Sequence, residues 1–374
     1  MEQLMITNIL LFCIFIIVLV LPFKVKKVEE NLEVFLFSCG IAALSVSSFA
    51  TLHGETFGWT TAIVIEAITA PVMITTIAGI PVGIVQMVLI VGLIIYLAHA
   101  QIQGAIQTMV NRMPLFALIF FLICSLGIIS SIISAILAAI ILVEIVCALP
   151  LGRQQKIGVT VISCFSIGLG AALTPLGEPL STIAISKLSG NPYNAKFGFL
   201  FDLLGVYIFS GILAMGILGV VFLHRQGMPS EGLECNLVRE SLRDVMIRAG
   251  KVYLFIMALV FLGEGFKPII LEYIIRIPSE GLFWVNIVSA VLDNATLAAA
   301  EIGPQLSLIQ IKSALMGLLV SGGMLIPGNI PNIIAACKMG ITSKEWAKYG
   351  LPLGFALMLA YFAILFMPAF LGFS

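Results

Sequence analysis

Apolar runs close to the ~20 residues that a helix needs to span the hydrocarbon core follow one another along nearly the whole chain, parted by short polar, glycine- or proline-bearing breaks. Runs this long exclude an outer-membrane barrel, whose strands would show ~10-residue alternating segments. The pattern predicts helices over 6–22, 32–52, 60–79 and 84–97, with a turn at His53-Gly54-Glu55 and Trp59 marking an interface. The glutamine-faced segment 101–112 is amphipathic and is expected to lie along the membrane surface. Residues 114–149 are too long for one helix and carry Ser125, Gly127, Ser130, Ser131 and Ser134, which predicts a re-entrant hairpin with its tip near Ser134. Ser125, Ser130 and Ser131 are expected to serve helix packing. After the basic pair Arg153 and Lys156, a helix from 157 meets a break and resumes to Lys187. Further helices are expected over 197–223 and 252–262, followed by an amphipathic segment at 266–277.

The break lies in Gly170-Ala-Ala-Leu-Thr-Pro-Leu-Gly-Glu-Pro-Leu-Ser-Thr182. Pro175 and Pro179 lack the amide proton that a helix needs, and Gly170 and Gly177 allow conformations other residues resist, so the backbone must open. Open backbone at membrane depth persists only where protein buries it or a cavity hydrates it, and Glu178 is its charged centre.

A second copy follows. Ser134-Ala-Ile-Leu-Ala-Ala-Ile-Ile-Leu matches Ser289-Ala-Val-Leu-Asp-Asn-Ala-Thr-Leu at an offset of 155 (134 to 289), and Gly170, Leu173, Pro175 and Pro179 match Gly322, Leu325, Pro327 and Pro331 at 152 (170 to 322). Two hairpins and two broken helices in the same order form an internal repeat, as transporters use. Charge predicts that it is inverted. The 224–250 linker, with Arg225, Arg239, Arg243 and Arg248, reads as cytoplasmic, as do Arg153 and Lys156 after the first hairpin. The Glu301-Ile-Gly-Pro-Gln-Leu base of the second hairpin lacks lysine and arginine and reads as external, while Lys338, Lys344 and Lys348 return inside. Counting back through four crossings puts the Lys24–Lys27 loop outside. Either its glutamates neutralise it, or the third helix does not cross fully.

Composition agrees with a polytopic membrane protein: the 374 residues are 60% hydrophobic and 10% charged, with a mean hydropathy of +1.16. Basic and acidic residues balance at 19 each, which suggests no nucleic-acid partner. The seven cysteines sit singly and are read as small apolar residues, neither disulfides nor metal ligands. The first apolar run lacks a basic leader and a small-residue cleavage site, so a retained helix is expected.

Candidate chemistry follows from ionisable groups at membrane depth, where each costs ~2.5–3.5 kcal/mol even on the gentler insertion scale. Asp293 and Asn294, at the second hairpin tip, offer hard oxygen ligands for Na+ or Li+, although an Asp-Asn pair also caps helices well. Glu178 is the third candidate, and it too could cap its half-helix. Thr174 and Ile326 would add carbonyls, Asn329 an amide, and Asn332 could complete the second stretch. A carboxylate that burial protonates and a cation deprotonates would couple the two ions, which singles out Asp293 and Glu178. Glu66, Glu144 and Asp202 are candidates for a secondary proton relay or for paired structural charge. His53 and His99 fall near helix ends, and Lys187 is expected to snorkel to the interface.

Ser289-Ala-Val-Leu-Asp-Asn-Ala-Thr resembles the Ser-Ala-x-Leu-Asp-Asn-x-Thr signature of the Ion Transporter superfamily, and Gly170-Ala-Ala-Leu-Thr-Pro-Leu-Gly-Glu-Pro resembles its Gly-Gly-x-x-Ser-Pro-Ile-Gly-Asp. Within it, the chain is similar to NhaD-type sodium/proton antiporters and related prokaryotic cation transporters, in order over about 113–345. The resemblance implies an all-α polytopic membrane protein, an inverted repeat with two re-entrant hairpins and two broken transmembrane helices, a homodimer and elevator-like movement. Ser289 joins the site through this signature. Ala138-Ala139 stand where the first hairpin would carry its own Asp-Asn pair, leaving one such site.

The expected division is N-terminal scaffold helices at 1–112, transport repeat 1 at 113–192, scaffold helices with the linker at 193–279, transport repeat 2 at 280–345 and a C-terminal scaffold helix at 346–374. The function expected is secondary active transport in the cytoplasmic membrane, exchanging Na+ or another monovalent cation for protons by alternating access, with no cofactor beyond the carried ion. The alternative is a sodium-coupled carboxylate or oxyanion symporter, which the lack of lysine and arginine in the motif stretches disfavours. No serine elbow, zinc helix or paired intramembrane aspartate points to an enzyme.

Overall fold

The computed structural model describes residues 2–29, 31–52, 55–73, 75–77, 80–83, isolated positions between 85 and 108, and 113–226, 241–273, 276–290 and 294–370. Helices α1 (Glu2–Lys24) and α2 (Leu32–Ser47) answer the first two apolar runs. The chain then makes a short strand pair, β1 (Thr51–Leu52) with β2 (Glu55–Thr56), and Thr60 Oγ1 caps α3 (Thr61–Thr69) by accepting from Ile63 N at 3.2 Å.

Here the expected third helix, 60–79, fails in its second half. Pro71 interrupts the run, and the β-branched Thr75-Thr76-Ile77 form β3 (Thr75–Ile77), antiparallel to β4 (Ile80–Val82). Nine residues of helix cover ~14 Å, less than half of a ~30 Å core, so α3 does not cross. The helix expected over 84–97 and the amphipathic 101–112 lie largely outside the described residues.

The run 114–149 folds as α4 (Leu115–Ile133) and α5 (Ala135–Ala148), parted at Ser134, whose φ of 79° is a left-handed value. Ser125, Ser130 and Ser131 do not interrupt α4. Each hydroxyl donates to the carbonyl three residues back. Next come α6 (Arg153–Ala171), α7 (Pro179–Lys187), α8 (Phe199–Gln226), α9 (Leu242–Gly265) and α10 (Lys267–Glu272). The latter part of the linker is thus helical, since α9 begins well before the expected 252.

The second half repeats the sequence of elements: α11 (Ser279–Val285) running into a tight turn at Asn286–Ala290, α12 (Asn294–Glu301), α13 (Leu308–Gly322), a turn at Ile326–Gly328, α14 (Ile330–Met339) and α15 (Ser343–Phe370). Gln155 and Gln310 occupy the same place in the first turns of α6 and α13, each accepting from the backbone N–H of the cap residue, Gly152 or Ser307.

The core is built on α6 and α13, which are buried on nearly every side beyond their first turns. Helices α4 and α8 pack on α6, and α11 on α13. The second members of the helix pairs cross over, α5 packing on α14 and α12 on α7. Thr160, Cys164 and Gly168 of α6 meet Met339, Pro331 and Asn329 in that order, so α6 and α14 run antiparallel. At one end Arg153 makes a two-pronged ion pair with Glu345 at 2.8 and 3.0 Å and donates to Gly340 O at 2.9 Å. At the other, Tyr193 donates to Leu306 O. On the periphery, α9 lies along α2 and touches α3, and α1 packs on α2 and α10.

Two polar expectations change. Lys156 is not a loop cation but is buried in α6, donating to Cys147 O at 2.8 Å. Cys147 is disulfide-bonded, against the expectation, and the other described cysteines are free.

Candidate functional site

Both broken helices open by the same device. Helix α6 ends at Ala171 and α7 starts at Pro179 after an extended Glu178 (φ −155°, ψ 160°); α13 ends at Gly322 and α14 starts at Ile330 after an extended Asn329 (φ −153°, ψ 146°). The two N-caps are 151 positions apart (178 to 329), one fewer than the proline matches imply, because Pro179 is the first residue of α7 and Pro331 the second of α14.

In this register each break is closed alike. Ser181 donates to Ala171 O at 3.3 Å; its counterpart Asn332 donates to Gly322 O and Leu325 O, both at 2.9 Å. Gly177 and Gly328 leave room for close backbone approach. A Cβ on Gly177 would sit 2.0 Å from Ala171 O, and one on Gly328 2.5 Å from both Gly322 O and Ser289 O.

The first helix pair is tied to the first break, with Ala135 N donating to Gly177 O at 2.8 Å and Thr174 Oγ1 to Ser131 O. The hydroxyl of Thr174 is therefore engaged in structure. The second pair reaches both breaks. Ser289, fully buried, lies against Gly322 and Gly328 of the second. Asn294 crosses to the first, where its Nδ2 faces Glu178 Oε2 at 3.4 Å.

Glu178 is 4% exposed and Asn294 2%, and the carboxylate makes no side-chain cap to its own helix. The group sits at the N-terminal end of α7 and faces an amide from the other half of the chain. Asn332 Oδ1 is buried without a hydrogen-bond partner, and Asn329 lies against Gly168 of α6. Among these groups the Glu178 carboxylate and Asn332 Oδ1 are oxygen acceptors, of the hard kind that takes the place of water around a small cation, while Asn294 and Asn329 turn amide nitrogens to their neighbours.

Of the predicted residues, Glu178, Asn294, Ser289, Asn329 and Asn332 gather around the two breaks. Asp293 lies outside the described residues, next to Asn294. Glu66 is separate from this cluster, but it lines a cavity of about 380 Å³ that also touches Pro175 and Thr182 of the first break and Lys187 and Glu264 behind it. Glu144 is on α5, roughly 14 Å along the helix from Ala135, and Asp202 is exposed on the first turn of α8. Neither reaches the breaks. Lys187 does not snorkel outward: it faces Glu264 Oε1 at 4.0 Å across the cavity.

Sequence reasoning missed Ser181, hidden by the one-residue error in register, and the pair Lys187 and Glu264, which no local spacing joins. Among the described residues no three His, Cys, Asp or Glu side chains form a metal cluster.

Four described helices, Leu115–Ile133, Phe199–Gln226, Val245–Gly265 and Ser343–Met367, are long and apolar enough to span a bilayer. Their outer faces expose residues such as Val206, Ile217 and Leu359, where lipid replaces water as solvent. The chain is a helical, multi-pass membrane protein whose interior is organised around two opened helices. The family model described as "Protein of unknown function (DUF1646)" matches residues 8–367, and the chain belongs to that family. No curated protein matches it.

Proposed function

We propose that the chain is a secondary active transporter that exchanges a monovalent cation, Na+ foremost, for protons by alternating access in the cytoplasmic membrane. The observation that carries this reading is the contact of Asn294 with Glu178, which joins one half of the chain to the opened helix of the other. Glu178, Asp293 beside Asn294, and the oxygen of Asn332 supply acceptors for a cation, and either carboxylate can take a proton when the cation leaves. The crossed packing of α5 on α14 and α12 on α7, with α6 and α14 antiparallel, supports an inverted repeat whose helix pairs are the two hairpins. The Arg153–Glu345 pair gathers Arg153, Lys344 and Lys348 at one end, consistent with a cytoplasmic face there.

Purified protein in liposomes with a trapped pH dye tests the proposal. Na+ or Li+ added outside should drive proton movement that K+ and citrate do not. A sodium-coupled anion symporter is the second reading, favoured by Lys187 and Lys196, which line the cavity beside Pro175 and Thr182. Silence with every cation, together with sodium-dependent uptake of labelled carboxylate or oxyanion, would select it.

A further inference from the structure

We propose that the end of the bundle where α4, α6 and α15 begin and α8 ends holds the headgroup of an anionic phospholipid. Helices α4, α8 and α15 all pack on α6. Their ends meet through aromatic rings: Phe116 of α4 lies edge-on to His224 of α8 with ring centres 6.1 Å apart, and Phe222 of α8 edge-on to Tyr349 of α15 at 5.6 Å. From these rings inward the helices are apolar, with no charged residue in 115–133, 203–223 or 349–370, which puts the rings at headgroup level. Besides the buried Lys156, the segments at this end, 149–157, 222–226 and 338–349, carry Arg153, Arg225, Lys338, Lys344 and Lys348 against one carboxylate, Glu345.

Glu345 is committed: it holds the two-pronged pair with Arg153 and accepts from Thr342 N and Oγ1, both at 2.9 Å. Gln154 is exposed, and its Oε1 accepts from the Tyr349 hydroxyl at 2.7 Å and from Lys348 Nζ at 3.3 Å. Its Nε2 then donates to nothing among the described residues. Lys344 is exposed one turn before Lys348 on the same face of α15, and neither Lys344 nor the exposed Arg225 has a side-chain partner among the described residues. Gln154, Lys344 and Lys348 thus form a patch of N–H donors and positive charge whose own acceptors are spent. A phosphodiester supplies oxygen acceptors and the countercharge, while its acyl chains lie along the apolar faces inward of the rings. A choline headgroup brings a cation for which the patch has no uncommitted carboxylate, so an anionic lipid fits and a zwitterionic one does not.

The full-length protein in detergent is offered phosphatidylglycerol or phosphatidylcholine with the same acyl chains, and bound lipid is measured by native mass spectrometry. Phosphatidylglycerol should bind about tenfold or more tightly than phosphatidylcholine, and Lys344→Gln combined with Lys348→Gln should remove about tenfold of that preference. Lys312→Gln makes the same charge change on α13, toward the Tyr193 end of the bundle, and should leave the preference unchanged. Should the double variant fail to fold by gel filtration, Lys344→Gln alone, which has no partner to lose, should lower the preference about threefold or more. Equal binding of the two lipids would mean an aromatic belt that takes any headgroup, and would overturn the proposal. So would a preference that the α15 lysines leave intact, or that Lys312→Gln lowers as much, since lipid would then follow net charge alone. Inorganic phosphate that displaces phosphatidylglycerol at equal concentration would make the patch a site for a free anion and would also overturn it. No step uses transport, so failure of the antiport reading leaves this result intact.

Discussion

The two opened helices share a backbone and differ in charge. Both end one half-helix in a tight turn, pass through an extended N-cap and restart on a proline-bearing turn, and both close the break with a side chain three residues beyond the cap, Ser181 or Asn332. At the cap, however, one has Glu178 and the other Asn329. The helix pairs differ in the same sense: the second carries Asp293-Asn294, the first Ala138-Ala139. Because α12 crosses to α7 and α5 to α14, the charged cap meets Asn294, while the half-helix behind the neutral cap packs on the alanine-bearing α5. The same kind of break occurs twice, and the crossed packing brings Asn294 to the one that carries the carboxylate.

The strongest test of this asymmetry is Glu178→Gln. It keeps shape and removes the carboxylate, and is expected to lower sodium-driven proton movement at least ~100-fold, above the range for residues that merely orient ligands. Asn329→Ala, at the equivalent neutral cap, should cost far less. Equal losses would mean that the two breaks share the load. Asn294→Ala removes the amide that faces Glu178 and should raise the sodium concentration for half-maximal exchange by ~10-fold, with little change at saturation. A variant with unchanged sodium dependence would show that the cross-half contact is packing alone.

The closing side chains should read out in stability. Asn332→Leu strands Gly322 O and Leu325 O in a buried site and is expected to cost about 1–3 kcal/mol, whereas Ser181→Ala, losing one longer bond, should cost nearer ~1 kcal/mol. Unfolding in detergent by heat or denaturant measures both. Asn332→Ser should recover part of the loss if the two positions are equivalent.

Much of this arrangement was legible in the sequence. Prolines, glycines and a carboxylate inside an apolar run have few physical explanations, so both breaks and the parting at Ser134 could be found from residue type. Register was harder. Prolines are tolerated at either of the first positions of a helix, so matching Pro179 to Pro331 displaced the N-caps by one and concealed the kinship of Ser181 and Asn332. Hydropathy reports burial and not conformation, which is why 60–79 read as one helix although Thr75-Thr76-Ile77 form a strand. Glu301 read only as part of the external base of the second hairpin, and its burial at the end of α12 was not legible. The pairing of Lys187 with Glu264 depends on helices far apart in the chain, beyond the reach of local pattern.

The smallest effect is expected outside the breaks. Asp202 is an acidic residue in an apolar stretch of sequence, as Glu178 is, and it lies in the first turn of α8, the end of a helix that suits an acidic side chain. It differs in being exposed. Asp202→Asn should therefore leave exchange within ~2-fold of the parent while lowering stability by about 0.3–1 kcal/mol, the ordinary worth of an acidic group at an exposed helix start. Liposome exchange and unfolding measured on one preparation decide the matter. A large loss of exchange at unchanged stability would place a proton path along α8, and charge would then no longer be confined to the crossed half.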